Sequence, residues 1–282
     1  MHRYYHLTKP GIVYGNTLTA VGAYLFGLHV FHLPFDFIPF CALVLGLGAA
    51  MGSACVFNNV IDANIDARME RTKDREIPAG TIRPSHALVF GFILGLAGLG
   101  ILYAFVSPLA FLITLGGVIV YVAVYTPAKR VTPRSTLIGA VAGAVPPVAG
   151  YAAAVGLLDA RALVLFLILV TWQMTHFFAI GLHRSDDYRA AGLPVLPLVV
   201  SASATRFLMV VYAVAFSVAA YALYALGGLG LGYAIVMTAV CGAWIALGIR
   251  GFFVPDIRPW ARRMFFVSLV VLLAFSFAIA VL

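Results

Sequence analysis

The chain has 282 residues, of which 63% are hydrophobic and only 10% are charged, and its formal net charge is +8. Ordinary soluble domains carry about 25% charged residues, and a mean hydropathy of +1.04 leaves too little polar surface to cover a soluble globule. The composition therefore excludes a soluble enzyme or binding module and predicts an integral membrane protein.

Successive apolar runs are long enough to cross a bilayer. A helix of about 20 apolar residues spans the hydrocarbon core, where backbone polar groups must be satisfied within the segment. We expect Ser107 and Pro108 to form the turn between the third and fourth runs, and residues 1–282 to make a single integral membrane domain. We predict an all-α polytopic protein with nine transmembrane helices, near Ile12–Val30, Ile38–Phe57, Ala87–Val106, Leu109–Tyr125, Leu137–Leu157, Ala162–Leu182, Phe207–Leu226, Leu229–Ile249 and Met264–Leu282.

Lysine and arginine residues follow the positive-inside pattern of membrane proteins. They precede the first predicted span or follow an even-numbered one, and only Arg161 falls on the other side. We therefore expect a protein of the inner (plasma) membrane with a cytoplasmic N-terminus, cytoplasmic active-site loops and a C-terminus on the opposite side.

The three cysteines are scattered without a CxxC pattern, so neither a disulfide framework nor a thiolate metal site is predicted.

Acidic and amide side chains gather directly after the second span. Asn58, Asp62 and Asp66 are spaced i, i+4 and i+8, so they share one face if the helix continues beyond the membrane edge. Two carboxylates on one face repel each other, most strongly beside an apolar wall. Carboxylate and amide oxygens are ligands that Mg²⁺ prefers, together with substrate phosphates. The spacing predicts a magnesium site.

Basic residues follow this acidic face, at Arg71, Lys73 and Arg75. Their side chains suit the phosphate half of such a site. The alternative interpretation is a solvated loop whose acids and bases pair locally, with Asp66 and Glu70 competing for Arg71.

The loop after the sixth span repeats this chemistry in LHRSDDYRAAGLPVLP. Asp186 and Asp187 lie there beside Arg184 and Arg189. Both charged loops follow an even-numbered span, four spans apart. We therefore expect two similar half-bundles that face each other across one cavity.

The sequence NNVIDANID followed by RMERTKDR resembles the NxxxDxxxD motif of the UbiA-type intramembrane prenyltransferases. The chain departs from the family at Thr175, where a proline is frequent, and at adjacent Asp186 and Asp187, where many members have a second DxxxD. Adjacent helical residues diverge by about 100°, so only Asp187 is expected to face the site. Further stretches look like the protohaem IX farnesyltransferase (haem O synthase) branch: LTKPGIVYGN (7–16), YTPAKR (125–130), GAVAGAVPPVAGY (139–151), WQMTHFFAI (172–180) and DYRAAGLPVLPLV (187–199).

The resemblance implies a UbiA-type bundle around a central cavity. It also implies transfer of the farnesyl group of farnesyl diphosphate to a vinyl group of haem B, with water addition, giving haem O and diphosphate for terminal oxidase haem biosynthesis. Mg²⁺ is the expected cofactor, haem B and farnesyl diphosphate are the substrates, and the lipid bilayer is the surrounding partner. Direct hand-over to haem A synthase or a terminal oxidase assembly is left open, and no nucleic acid is expected.

Site residues follow from this resemblance together with the charge pattern. Asn58, Asp62, Asp66 and Asp187 are the predicted catalytic metal ligands, and the predicted diphosphate ligands are Arg71, Lys73, Arg75, Lys129 and Arg130.

The predicted haem side of the site depends on the fifth and sixth spans. His176 is expected to bind haem iron or to orient a substrate, although an intramembrane histidine is more often a hydrogen-bonded packing residue. Arg184, with Arg134 and Arg189, is a candidate for the haem propionates, or else only part of the topology signal. Consecutive prolines at 146–147 predict a broken fifth span beside the cavity.

Two other functions are compatible with parts of this pattern. Another UbiA-type enzyme would prenylate a quinone precursor or chlorophyllide, but the branch motifs argue against that acceptor. A transporter or channel would bind a cation through its cytoplasmic carboxylates. Such a pathway usually places charged residues near mid-membrane, where this sequence has almost none.

Overall fold

The structure is a computed structural model that describes residues 2–281. This range contains helices, turns and no strand, and nine of its helical segments are long and apolar enough to cross a membrane. The predicted all-α architecture with nine spans is therefore confirmed, including the Ser107–Pro108 turn between the third and fourth spans.

A short helix, α1 (His2–Leu7), precedes the first span. The nine spans are α2 (Pro10–Val30), α3 (Phe37–Asp66), α4 (Pro84–Phe105), α5 with a π-helical turn and α6 (Pro108–Ile119, Val120–Tyr125, Thr126–Ala128), α7 with α8 (Ser135–Gly143, Val145–Val155), α9 (Ala160–His183), α12 (Ala202–Ala225), α13 (Leu231–Arg250) and α14 (Ile257–Val281). Between the sixth and seventh spans lie α10 (Ser185–Ala190) and α11 (Leu196–Val199), and a 3₁₀ turn (Gly251–Phe253) follows α13.

Short polar side chains and prolines set where many spans begin. The Asp36 carboxylate accepts the Ile38 amide at 2.9 Å, and Ser201 Oγ accepts the Ala204 amide at 3.1 Å. Asp159 caps α9 in the same way by accepting two backbone amides. These caps satisfy donors that a helix start leaves free. They explain why spans begin at polar residues just outside the apolar runs.

Two helices extend well beyond the predicted bounds. The second span was predicted to end at Phe57, and its helix continues to Asp66, which realises the expected continuation beyond the apolar run. The ninth was predicted to begin at Met264, and its helix begins at Ile257. A span predicted from hydropathy ends where charged residues begin. The helix itself can continue, because its backbone hydrogen bonds do not depend on side-chain polarity.

The fifth span is broken, as its two prolines predict. The break lies at Ala144, between Gly143 and Val145, just upstream of Pro146 and Pro147. The prolines occupy the first turn of α8, where a missing amide N–H costs nothing. Gln173 on α9 donates to the Ala140 carbonyl at 3.1 Å and closes over the break.

The fourth span contains a π-helical turn, Val120–Tyr125, that was not predicted. Pro127 lacks an amide proton and therefore cannot continue the regular hydrogen-bond ladder. Thr126 Oγ1 donates to the Tyr121 carbonyl at 2.8 Å, five residues earlier. Such widened turns are frequent at functional sites, and this one lies beside the acidic face of α3.

Burial places the second and sixth spans at the centre of the bundle. The best apolar window of each is 56% buried, against 22% for the third and fourth spans. The largest apolar cluster packs α9 against α12, α13 and α14, around Phe216, Trp244 and Phe275. The two charged loops therefore both extend from central helices.

Helices α3 and α4 pack closely through small residues. A Cβ atom at Gly98 would lie 2.6 Å from the Gly46 carbonyl oxygen and 2.5 Å from the Ala50 nitrogen. Ser53 Oγ also donates to the Gly91 carbonyl at 2.6 Å across this interface. Small residues are the usual means of close helix contact in membranes, where lipid offers no hydrophobic driving force.

We expect Gly98→Ala to destabilise the protein by about 1–3 kcal/mol, because the added methyl group separates two packed backbones. Gly100→Ala is the matched control, since a Cβ there meets nothing within 4 Å. Thermal unfolding in detergent, followed by size exclusion, measures both. Equal midpoints for the two variants would contradict the close contact.

Candidate active site

The acidic face predicted on the second span is formed and buried. Asn58, Asp62 and Asp66 lie on the last turns of α3 and are 3%, 1% and 6% exposed. A buried carboxylate needs a partner, because the cost of removing its charge from water is large. The contacts of each group therefore decide what the face can bind.

Asp62 is surrounded by groups from two spans. Asn58 Nδ2 donates to Asp62 Oδ2 at 2.7 Å, and the Lys129 ammonium contacts the same oxygen. Arg130 Nη2 lies 3.5 Å from Asp62 Oδ1, which is buried and has no hydrogen bond within the described range. A buried anionic oxygen without a hydrogen bond suits a hard cation.

Asp66 is paired with Arg75. Arg75 Nη1 lies 2.7 Å from Asp66 Oδ2, and Thr72 Oγ1 donates to the Asp66 carbonyl at 2.8 Å. Asp66 and Glu70 therefore do not compete for Arg71, although acids and bases of this loop do pair with each other. Glu70 instead pairs with Lys73 at 2.7 Å on the exposed surface.

Lys9 contacts the acidic face and was not among the predicted site residues. Its Nζ donates to Asn58 Oδ1 at 2.5 Å from just before the first span. Burial lowers the pKa of Lys9 to about 8, so the side chain is still mostly protonated at neutral pH. The only signal was its place in LTKPG, directly before the start of α2, where it counted as part of the topology pattern.

Thr126 was also missed. Its hydroxyl accepts from Asn58 Nδ2 at 3.0 Å and donates to the Tyr121 carbonyl. The π-helical turn thus points a hydroxyl at the acidic face. Asn58 therefore has hydrogen bonds to three groups, Lys9, Asp62 and Thr126.

The neighbouring Asn59 has a different role. Its Nδ2 donates to the Leu7 carbonyl at 2.9 Å, which ties α1 to the side of α3. Adjacent helical residues diverge by about 100°. Asn58 therefore lies on the acidic face, while Asn59 contacts the N-terminal helix.

The two charged loops come together as expected. Met69, after the second span, packs with Ala191 and Leu193, after the sixth. Asp186 is exposed and lies 2.9 Å from Arg258. Asp187 is half-buried, and its role as a metal ligand stays a prediction.

A small cavity of about 50 Å³ lies between the two halves. Lys129 and Tyr125 line it on the fourth span, Phe177 and Gly181 line it on α9, and Tyr188 lines it on α10. Burial raises the pKa of Tyr188, although the nearby Arg71 acts in the opposite direction. The Tyr188 hydroxyl therefore stays protonated and available as a donor.

His176 lies within the bundle and is 8% exposed. Ser268 Oγ lies 2.6 Å from the Phe265 carbonyl oxygen, so its proton lies between the two oxygens and it accepts from His176 Nδ1 at 2.7 Å. The ring also stacks on Trp172. These are the contacts of a packing residue, and they leave Nε2 as an acceptor. The cavity wall is formed by its neighbour Phe177.

The structure brings some predicted residues together and leaves others apart. Arg75, Lys129 and Arg130 contact the acidic face. Arg71, Lys73 and Arg184 are exposed, and none pairs with a predicted metal ligand in the described range. All remain predictions as substrate ligands.

The donor set fits Mg²⁺ better than a metal held entirely by protein. Residues 2–281 contain no group of three or more His, Cys, Asp or Glu side chains placed to hold a metal. Mg²⁺ usually takes one or two carboxylates and completes its shell with water and substrate phosphate. Asp62 and Asp66, with Asn58 beside them, match that requirement.

The model of the UbiA prenyltransferase family matches residues 17–270, and the chain belongs to that family. The family resemblance noted in the sequence is therefore confirmed. Among curated relatives, protoheme IX farnesyltransferase of Serratia proteamaculans (strain 568) is 41% identical over 275 residues, covering 97% of this chain and 92% of the relative. The protein of the same name from Acinetobacter baylyi is 39% identical over 283 residues, covering 99% and 95%.

Solved structures share the fold. A digeranylgeranylglyceryl phosphate synthase superposes with a TM-score of 0.77 at 17% identity, covering 100% of this chain and 99% of that one. A UbiA homolog from Archaeoglobus fulgidus bound to GPP and Mg²⁺ gives 0.65 at 14% identity, covering 99% and 100%. At these identities the likeness shows the fold alone, a UbiA-type bundle.

We expect Asn59→Ala to loosen α1, because the Leu7 carbonyl loses its side-chain donor. A lost buried hydrogen bond costs about 1–3 kcal/mol, so amide exchange over residues 2–9 should rise roughly fivefold to a hundredfold. Asn64→Ala is the control, since Asn64 is exposed on the same helix. Hydrogen–deuterium exchange mass spectrometry measures both, and identical exchange in the two variants would refute the role of Asn59.

Proposed function

We propose that this protein transfers the farnesyl group of farnesyl diphosphate to a vinyl group of haem B, with addition of water, to give haem O and diphosphate. The observation that carries the proposal is the similarity over nearly the whole chain to relatives named protoheme IX farnesyltransferase. Family membership favours prenyl transfer over cation transport.

The acidic face would hold the charged end of the prenyl donor. When bound by Asn58, Asp62, Asp66 and Asp187, Mg²⁺ would neutralise charge that develops on the departing diphosphate. A solved homolog from Archaeoglobus fulgidus bound to GPP and Mg²⁺ gives a precedent within the fold.

The cations beside that face would bind the diphosphate directly. Lys129 and Arg130 lie against Asp62, and Arg75 lies against Asp66, so all three reach oxygens held at these carboxylates. Fixed positive groups in a site with little water stabilise leaving-group charge most effectively. Arg71 and Lys73 lie on the exposed loop and would add positive charge at the entrance of the diphosphate site.

The transfer of the farnesyl group needs no added oxidant or reductant. The allylic C–O bond of farnesyl diphosphate breaks, and diphosphate leaves with the electron pair. The vinyl π electrons of haem B form the new C–C bond to the farnesyl C1 carbon. Water then adds to the carbon beside the porphyrin ring and releases a proton to solvent. The apolar walls of the bundle limit water access to the cation until the new bond forms.

The acceptor would lie toward α9. Haem is far larger than the 50 Å³ cavity, so binding there would require α11, whose Pro197 packs against Gly181, to move away from α9. His176 contacts Ser268 and Trp172 behind the cavity wall, so we propose that it helps to orient the acceptor through packing. Arg184 would pair with a propionate at the exposed rim.

The charge pattern supports a cytoplasmic position for the charged loops. We propose that the chain is one domain over residues 1–282 in the plasma membrane, with its charged loops in the cytoplasm. Haem A synthase or a terminal oxidase assembly would then receive the product.

Mass spectrometry of extracted haems tests the reaction. We expect purified protein incubated with haem B, farnesyl diphosphate and Mg²⁺ to form haem O, and EDTA to abolish it. Geranyl diphosphate serves as a second donor to test chain length. Unchanged haem B in the presence of bound donor would refute this acceptor and indicate another one within the same fold.

Separate substitutions Asp62→Asn, Asp66→Asn and Asp187→Asn should each lower haem O formation by about a hundredfold or more, because each removes a charge at the leaving group. Asp186→Asn is the matched control, since Asp186 is exposed and pairs with Arg258, and we expect it to keep about wild-type turnover. Turnover and thermal midpoint are compared for all four. Wild-type turnover at any one of the three positions would remove that residue from the metal site.

A further inference from the structure

A second, larger groove lies at the N-terminal helix. It has a volume of about 790 Å³ and is open to the outside. Its walls come from the start of α1, the turn before α4 and the first turn of α4. The lining residues are His2, Arg3, Tyr4, Gly80, Thr81, Ile82, Arg83 and His86.

The groove is basic and its charges are not neutralised by the protein. Arg3 and Arg83 are exposed, and neither is in an ion pair with any residue of the described range 2–281. His2 and His86 add imidazole donors, and no acidic side chain lines the groove. Two arginine side chains that line one groove supply positive charge suited to a phosphate group.

An apolar strip continues from the groove down α4. Val89 and Ile93 follow His86 by three and seven residues, so they lie below it on the same helix face. Both are 60% exposed, as is Phe92 beside them. In a membrane span this exposed strip faces lipid chains. The surface therefore changes from basic to apolar along one line, as a phospholipid changes from headgroup to chain.

The groove is separate from the candidate active site. An apolar cluster of Leu7, Val56, Ile77, Ile82 and Ala87 packs beneath it, against α3. The acidic face of α3 lies on another side of the same helix, beside Lys129 and Thr126. A ligand in the groove would thus touch none of the residues assigned to prenyl transfer.

We propose that this groove binds the headgroup phosphate of one anionic phospholipid, with its acyl chains along the Val89–Ile93 strip. Arg3 and Arg83 pair with the phosphate, and His2 and His86 donate hydrogen bonds to headgroup oxygens. Basic pockets between spans at the membrane surface are suited to anionic lipids. Bound lipid would also hold α1 against the start of α4.

Native mass spectrometry tests the site on delipidated protein in detergent, titrated with phosphatidylglycerol or phosphatidylcholine of identical chains. We expect one tightly bound phosphatidylglycerol. The double variant Arg3→Gln/Arg83→Gln should weaken it on the order of tenfold to thirtyfold, as expected for two arginines near an anionic headgroup. The double variant Arg250→Gln/Arg263→Gln is the control, because it removes two exposed arginines elsewhere; its affinity should stay within about twofold of wild type.

Further measurements separate specific lipid binding from misfolding and from binding of phosphate alone. Arg3→Lys/Arg83→Lys keeps the charge and loses only the forked guanidinium groups, so it should bind the lipid more tightly than the glutamine variant does. A thermal midpoint of the glutamine variant equal to that of wild type excludes misfolding as the cause of its loss. Inorganic phosphate at millimolar concentration should not displace the lipid if the apolar strip contributes. Equal binding of both lipids, unchanged binding in the glutamine variant, or full displacement by inorganic phosphate would each overturn the proposal.

Discussion

The buried Asp62 carboxylate is the constraint on which the arrangement of the site depends. It is nearly inaccessible to solvent, yet it lies on a helix from the centre of a membrane bundle. Leaving such a charge without a partner costs several kcal/mol, about 3–5 kcal/mol where a buried pair is broken. Lys129 and Arg130 supply the compensating charge from the fourth span. The second and fourth spans are therefore held in one register by electrostatics as well as by packing.

The pairing of Asp62 with Lys129 and Arg130 also suits the site to bind a metal ion and a diphosphate. A site that binds a divalent cation and a diphosphate must accept large charges of both signs within a few ångströms. Carboxylates that face lysine and arginine meet this need, since either partner can turn to an ion of opposite sign. Asp62 Oδ1 is buried and has no hydrogen bond within residues 2–281, so the pairing there is incomplete. An incompletely satisfied group of this kind is typical of a binding site and unusual in a structural core.

Much of the fold and part of the site were predictable from the sequence. Span number, the break before Pro146 and the continuation of the second helix follow from hydropathy, missing amide protons and the four-residue spacing of Asn58, Asp62 and Asp66. The contribution of Lys9 was not predictable in this way. Its contact with Asn58 depends on how the first and second spans pack, and no local pattern encodes that distance.

The fourth span shows the same limit. Its composition predicts a continuous helix, whereas the backbone of Val120–Tyr125 forms a wide turn, and the Thr126 hydroxyl at its end bonds to Tyr121 and Asn58. Pro127 indicated some irregularity but not its direction. Likewise, Asp66 pairs with Arg75, nine residues later, across turns that backbone hydrogen bonds and the bond from Thr72 Oγ1 to the Asp66 carbonyl hold in place.

Helix α3 connects the acidic face and the basic groove through adjacent residues. Asn58 faces the acidic cluster, whereas Asn59 holds the N-terminal helix that forms one wall of the basic groove. Rotation or sliding of this helix would therefore displace both at once. Because α3 is also packed tightly on α4 through glycines between Gly46 and Phe57, such movement is resisted over the part of α3 that precedes the acidic face. A ligand that fixes α1 against α4 would then reduce the freedom of the helix that carries the carboxylates, without touching them.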